Sequence, residues 1–420
     1  MSNPTKKIVN SSKFNILSWA LFDFANTSFS IVVVTFVFAI YFKEVVCNSQ
    51  PIGDFYWSLG TSISMLIVAL ISPILGAIAD FKSQKKLFLL IFTFICIIFT
   101  GLLFFVRTDE IIKGLIFFII ANVGFEAGLV FYDAFLPEIT KPSNFGRVSG
   151  YGFAFGYLGS FVTLLFTYYF ISIDKITYTF LFTSIFFTVF ALPIFLFLKE
   201  NKNIDTANIS PVKIGIQRVL WTFKHLKQLK NLALFLISFF FFIEGVNTVI
   251  YFVGNYAMTT MNFSKDELLY FFLITQITAL LGAIGFGIIA DSIGKKITLL
   301  ITLVIWIMVI SLVYISNSKF TFYLIGSIAG SVMGATQSVS RSLMSALVPE
   351  DKKTEFFGFY SFFGKSSAII GPLTFGYISY ITSSQRFAII SLLTFFIIGG
   401  IILLFVKEHN NISEESNLNI

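Results

Sequence analysis

The chain has little of what enzymes and metalloproteins are built from. Only two cysteines and two histidines occur among 420 residues. They form no cluster at metal-ligand spacing, so neither a metal nor a cofactor is expected. Cys47 and Cys96 fall on different sides of a membrane interface in the apolar pattern, so no disulfide is expected. A membrane enzyme would need a nucleophile–base pair or a metal cluster, and these counts argue against both. No Walker pattern (Gly-x-x-x-x-Gly-Lys-Ser/Thr) is present, so ATP is not the direct energy source. Charge is also scarce. Charged residues make up 12% of the chain, about half the usual share of ~25% in soluble domains. The net charge of +7 does not mark a nucleic-acid surface, because its distribution follows the loops described next.

Apolar residues dominate, at 56%. They form twelve blocks, at 17–42, 56–79, 87–106, 114–137, 149–172, 177–198, 231–256, 267–290, 297–316, 320–347, 355–381 and 387–406. A helix needs about 20 residues to cross a bilayer. The alternation of barrel strands is lacking, and backbone groups in hydrocarbon must be paired within their own segment. The expectation is an all-α integral membrane protein with twelve transmembrane helices. The first block reads as a retained helix rather than a signal peptide. Of the 29 Lys and Arg residues, 20 fall in the termini and even-numbered loops, 7 in the odd-numbered loops, and Arg341 and Lys365 within spans. That asymmetry predicts cytoplasmic termini and an even number of spans. In a bacterial cell the membrane would be the inner one.

The chain is also written twice. Gly76-Ala-Ile-Ala-Asp80 with Lys85-Lys86 recurs as Gly287-Ile-Ile-Ala-Asp291 with Lys295-Lys296. Residues 134–159 recur at 346–371 with nine identities, among them Pro137/Pro349, Gly146/Gly358, Ser149/Ser361 and Gly152/Gly364. This period is far too long for a solenoid. It predicts two six-helix halves, 17–198 and 231–406, as in a transporter built from repeats. Residues 1–16 precede them as a cytoplasmic segment. A cytoplasmic linker, 199–230, joins them. Within it, Ser210-Pro211 reads as a helix start. The apolar and lysine pattern behind it predicts a basic amphipathic helix at the lipid surface. The tail 407–420 is expected to be cytoplasmic and disordered.

Ionisable groups inside spans are costly and mark pathways or paired switches. They are Asp23 in span 1, Glu126 and Asp133 in span 4, Glu244 in span 7, Arg341 in span 10 and Lys365 in span 11. Polar stripes accompany them: Asp23, Asn26, Thr27 and Ser30; Asn122, Glu126 and Asp133; Glu244, Asn247, Tyr251 and Asn255; Gln337, Arg341 and Ser345. Helical spacing predicts that each stripe faces a watered cavity rather than lipid. Asp23, Asp133 and Arg341 are either structural ion pairs at a cytoplasmic gate or substrate contacts. Glu126 and Glu244 lie deeper and suit proton loading. Lys365 either binds an anionic group or neutralises Asp133 or Glu126. The loops of Gly76, Asp80, Gly287, Asp291, Lys295 and Lys296 read as a latch, each Asp accepting hydrogen bonds from a facing helix N-terminus. Topogenic charge alone is the plainer alternative.

These loops resemble the Gly-x-x-x-Asp-x-x-Gly-basic-basic signature of the major facilitator superfamily. The second copy fits fully. The first has one extra residue, with Ser83 or Gln84 where Gly is usual. Four further segments resemble the vacuole-effluxer-like family, relatives of the autophagy-related vacuolar exporter. They are Trp19–Asn26; Tyr132–Ile139 with Gly146–Gly152; Glu244–Thr248; and Gly334–Ser342 with Phe356–Tyr360 and Gly364-Lys365. The chain departs from that family at Glu244, where Asp is usual, and at Asp133, where Asn is usual.

The resemblance implies the major facilitator fold and a transporter working by alternating access around a midplane site on spans 1, 4, 7 and 10. Amino-acid efflux by the eukaryotic relative suggests amino acids as one substrate class. The reading is a secondary transporter of a small polar solute, proton-coupled, monomeric, embedded in the bilayer and with no nucleic-acid partner. The alternatives are a transporter-like receptor or scaffold, and a facilitator of another solute such as a sugar or organic anion.

Overall fold

The computed structural model describes residues 13–50, 52–200, 215–217, 219–220, 229–349, 352–367 and 370–408. Residues 1–12, most of the linker and the tail from 409 lie outside that set. So does most of the expected amphipathic helix, although 215–217 and 219–220 are helical. There Gly215 rests against the helix Ile52–Lys82, with an added Cβ only 3.0 Å from the Ile74 carbonyl oxygen.

Among the described residues, twelve helical passes follow in order. The first half holds α1 (Lys13–Val46), α2 (Ile52–Lys82), α3 (Lys85–Leu102), α4 (Ile111–Asp133), α5 (Phe145–Ser172) and α6 (Tyr178–Phe197). The second half holds α7 (Lys230–Thr259), α8 (Lys265–Ile293), α9 (Lys295–Ile315) and α10 (Lys319–Leu347). It closes with α11, described over Lys353–Ser367 and Ile370–Thr382, and α12 (Gln385–Ser391 and Leu393–Leu404). Among the described residues no strand occurs.

Ten of these are long and apolar enough to cross a bilayer by length and composition alone. The other two are α10 and α11. α10 is 29 residues long but polar, with Gln337, Ser338, Ser340, Arg341 and Ser342 in one run. α11 is described over Lys353–Ser367 and Ile370–Thr382, on either side of residues 368–369, which lie outside the described set. In the α10 run Ser338, Ser340, Arg341 and Ser342 are buried against protein, which is where such residues are tolerated in a bilayer. α1 is irregular too. Its β-branched stretch Ile31–Thr35 lies within a π-helical segment, Ser30–Thr35. Branched side chains crowd the preceding turn of a helix.

The two copies of the duplicated loop turn differently. Gly294 takes φ 103 between α8 and α9, a conformation that glycine adopts without a side-chain penalty. Ser83 takes the corresponding positive φ, 50, between α2 and α3. The extra residue of the first copy is thus absorbed in a turn that a non-glycine residue can make.

Glycines set how closely the halves approach. A Cβ on Gly287 would sit 2.6 Å from the Gly146 carbonyl oxygen, and one on Gly358 would sit 2.5 Å from that of Ser72. Gly76 meets the Thr354 carbonyl in the same way. α5 therefore packs backbone to backbone on α8, and α2 on α11. These contacts lie at the end of the bundle where Lys13 and Glu408 also lie, called here the termini end.

Candidate functional site

Asp291 ends the second Gly-x-x-x-Asp segment and points at the start of α5. Its Oδ1 accepts a hydrogen bond from the Gly146 amide at 2.8 Å, and its Oδ2 one from Arg147 at 2.7 Å. Asp80, in the first copy, accepts one from the Glu355 amide in the first turn of α11 at 2.8 Å. Each carboxylate thus satisfies N–H groups that a helix start leaves unpaired. Each bond also joins one half to the other.

The lysines of the same loops stay within their own half. Lys85 Nζ pairs with Glu138 at 2.6 Å. Lys295 Nζ lies 3.9 Å from Asp291 and 4.0 Å from Glu408. The chain ends of α6 and α12 supply a second matched pair. Glu200 accepts from the Lys85 amide at 2.6 Å and the Lys86 amide at 3.3 Å. Glu408 accepts from the Lys295 amide at 3.0 Å and the Lys296 amide at 2.8 Å. Lys86 and Lys296 then donate to the carbonyls of Leu198 and Leu404. These lysines and glutamates therefore pin α3 to α6 and α9 to α12. Sequence reading missed both glutamates, although the signal was present as Phe197-Leu-Lys-Glu200 and Phe405-Val-Lys-Glu408.

Arg341 is the centre of the site. It comes from α10, is 2% exposed, and reaches across into the first half. Its Nη1 donates to Asp23 on α1 at 3.2 Å and to Asp133 at the end of α4 at 3.0 Å. Nε and Nη2 donate to the hydroxyl and carbonyl of Ser149 on α5, at 3.0 and 2.9 Å. The Ser149 hydroxyl in turn donates to the Ser338 carbonyl on α10 at 2.7 Å. The guanidinium carbon lies 4.1 Å from the Phe153 ring centre, 4.7 Å from that of Trp19 and 5.7 Å from that of Tyr132. Trp19 is itself fixed, stacked on Tyr132 and donating to its carbonyl at 3.1 Å. Asp23, Asp133 and Arg341 are therefore one buried, cross-half cluster.

Two more contacts cross between the halves nearer the middle. Lys365 on α11 forms an ion pair with Glu126 on α4. The Tyr157 hydroxyl on α5 donates to Gln337 on α10 at 2.7 Å. Of the alternatives open for Lys365, the structure selects the pairing with Glu126. Glu244 is different. It is fully buried, accepts bonds from the Gly371 amide and the Thr248 hydroxyl, and has no ion-pair partner among the described residues. Gly371 lies on α11, and a Cβ there would overlap both Thr248 and Glu244.

The expectation that whole stripes face a cavity needs correction. Asn26 is buried and donates to Asp23 at 3.2 Å. Asn122 is buried and donates to Ser64 of α2 at 2.7 Å. Asn255 accepts from Gln385 of α12 at 2.7 Å. Asn122 is thereby consumed in helix packing, because an amide inside a bundle takes a partner rather than stay unpaired, whereas Asn26 pairs within its own stripe and Asn255 is exposed. Asn247 and Gln337 remain half-buried and Tyr251 is exposed. Both cysteines are buried and free. Among the described residues no group of acidic, His and Cys side chains is placed to hold a metal.

A duplicated six-helix half and embedded charges that meet across the two halves define a membrane transporter of the major facilitator type. The sequence model of the family described as "Vacuole effluxer Atg22 like" matches residues 56–145 and 143–416. The chain belongs to that family. It is 30% identical to a Bacillus subtilis protein named an uncharacterized MFS-type transporter, YxiO, over 95% of this chain and 97% of that one. It is 25% identical to autophagy-related protein 22 of Kluyveromyces lactis, over 84% and 78% of the two chains. Solved structures share its fold at low identity. A bacterial homologue of the iron transporter ferroportin, in an outward-facing state, gives a TM-score of 0.71 at 12% identity, over 93% of this chain and 98% of that one. The Escherichia coli fucose:proton symporter gives 0.70 at 14%, over 94% and 98%.

Proposed function

We propose that the chain is a secondary transporter that carries a small polar solute, with amino acids among the classes to test, by alternating access between its halves. The observation that carries this reading is the set of cross-half bonds. Asp291, Asp80, Arg341 and Ser149 join the halves at the termini end, and each bond is made of groups that can part without breaking a helix. The excess of Lys and Arg in the loops at that end argues that it faces the cytoplasm, as does each terminus. In this conformation the cytoplasmic side is then the closed one. The matched family and its relatives support the membrane and transport parts of the reading. The substrate, the coupling ion and the monomeric state are this reading's own.

We assign the proton to Glu244 or Glu126. A buried carboxyl without a cation is held at lower cost with its proton on, and Glu244 meets that description. Glu126 would exchange Lys365 for a proton as the halves move. A thermal-shift screen against amino acids, sugars, nucleotides and organic acids would first find a solute, since binding to the folded state raises apparent stability. Proton flux is then followed with a pH dye in proteoliposomes. Loss of solute-driven acidification in Glu126→Gln or Glu244→Gln is the expected result. Intact acidification in both variants would sink the coupling assignment.

A further inference from the structure

We infer that the pocket around Arg341 is a binding site for an organic cation, a guanidinium or primary ammonium, which takes the place of Arg341 when the halves part at the termini end. The inference rests on the transporter reading above and names its substrate class.

Among the described residues, the hydrogen-bonding, ion-pairing and ring-stacking partners of the guanidinium all belong to the first half. Asp23 and Trp19 come from α1, Tyr132 and Asp133 from α4, and Ser149 and Phe153 from α5. Only the guanidinium comes from the second. Parting the halves draws Arg341 away and leaves two carboxylates in an aromatic-walled pocket with no cation. Removing one partner from a buried ion pair is strongly unfavourable. A cation from solution relieves that cost, and the pocket already has the shape and chemistry for one. Ring faces attract cations, and paired carboxylates suit a flat guanidinium. Gly152 limits its size. A Cβ there would lie 2.6 Å from Arg341 Nη2, 2.7 Å from Asp23 Oδ2 and 2.7 Å from the Trp19 ring.

The charge balance agrees. The six groups embedded in the spans are four carboxyls (Asp23, Glu126, Asp133 and Glu244) and two cations (Arg341 and Lys365). Lys365 is taken by Glu126. Arg341 is then shared by the two carboxylates of Asp23 and Asp133, and Glu244, protonated in the reading above, adds no charge. A path with that balance admits cations and repels anions. Arg341 acts in this scheme as a tethered copy of the ligand that holds the closed state while no ligand is bound.

The test uses the full chain in lipid nanodiscs and in liposomes. Arg341→Ala empties the pocket. Millimolar guanidinium chloride should raise the melting temperature of this variant above that in equal sodium chloride. The rise should vanish when Asp23→Asn and Asp133→Asn are added. In liposomes, wild-type protein should show saturable counterflow of agmatine, and Asp133→Asn should weaken its apparent affinity on the order of thirtyfold. If Arg341→Ala does not fold, the agmatine arm stands alone on wild type and Asp133→Asn.

Counterflow of leucine without agmatine, unchanged by Asp133→Asn, would overturn the cation site while leaving the transporter reading intact. Rescue by guanidinium with no counterflow of any solute would support the site and count against transport. Opening of the termini end by acid alone, with no agmatine binding, would give the pocket to the proton and overturn the inference.

Discussion

Asp291 and Gly146 meet as a carboxylate and a helix N-terminus, 2.8 Å apart, across the boundary between the halves. The bond is favourable twice over. It satisfies an amide that the helix start leaves free, and it sets a negative charge at the positive end of the α5 dipole. Asp80 and Glu355 repeat it on the pseudo-symmetric side. Neighbouring glycines allow it. Gly287 and Gly146 put backbone against backbone, so the carboxylate reaches the amide without a side chain between them.

Removing these caps should loosen the termini end. Each Asp→Ala change is expected to cost about 1 kcal/mol of the closed state, the usual worth of a helix cap. That corresponds to roughly a fivefold shift in population. The check is maleimide labelling of a single cysteine at Ser345, which is buried in the closed state, in a background with Cys47 and Cys96 replaced. Labelling should quicken in Asp80→Ala and Asp291→Ala and more so in the double variant. Equal rates in all four proteins would mean that the caps do not hold the gate.

Glu126 and Lys365 should behave as a coupled pair. Lys365 keeps 24% side-chain exposure and Glu126 8%, so losing one partner leaves a charge only partly solvated. Glu126→Gln and Lys365→Met are each expected to lower stability by about 2 kcal/mol, below the range for fully buried pairs because Lys365 reaches water. The double variant should recover part of that loss. A thermal double-mutant cycle measures it. Simple additivity would show that the pair contributes no coupling energy.

Glu200 gives a pH signature outside the membrane-spanning segments. Burial pushes its carboxyl above the ordinary value of 4.5, against the lowering effect of the Lys85 and Lys86 amides and the Lys85 charge. A raised folded-state value means stability is fullest below 4.5 and declines as pH rises through the shifted value. Glu200→Gln cannot ionise. Its melting temperature relative to wild type should therefore climb between pH ~4 and ~7. A constant gap over that range would show that the amide bonds cancel the effect of burial.

Much of the fold is legible in the sequence because each element depends on neighbours in the chain. The apolar blocks, the duplicated Gly-x-x-x-Asp loops and the twelve passes all follow from local composition and spacing. That Asp80 and Asp291 accept hydrogen bonds from facing helix starts was also legible, since a carboxylate placed beside a glycine-lined approach can reach such amides. The bond from the Gly371 amide to Glu244 was not, because it joins residues 127 apart. Nor was the fate of Asn122. A helical wheel places it beside Glu126 but does not know that Ser64 of α2 will stand opposite.

The sequence by itself determined a membrane protein of two related halves, with charges embedded in spans 1, 4, 7, 10 and 11. Hydrocarbon forces helices, and duplication leaves identities at a fixed offset. Tertiary structure alone decided which acid meets which base. Arg341 is 318 residues from Asp23 and 208 from Asp133, and Lys365 finds Glu126 rather than Asp133. Those choices depend on which helix faces lie together once the halves close, and no local pattern records that.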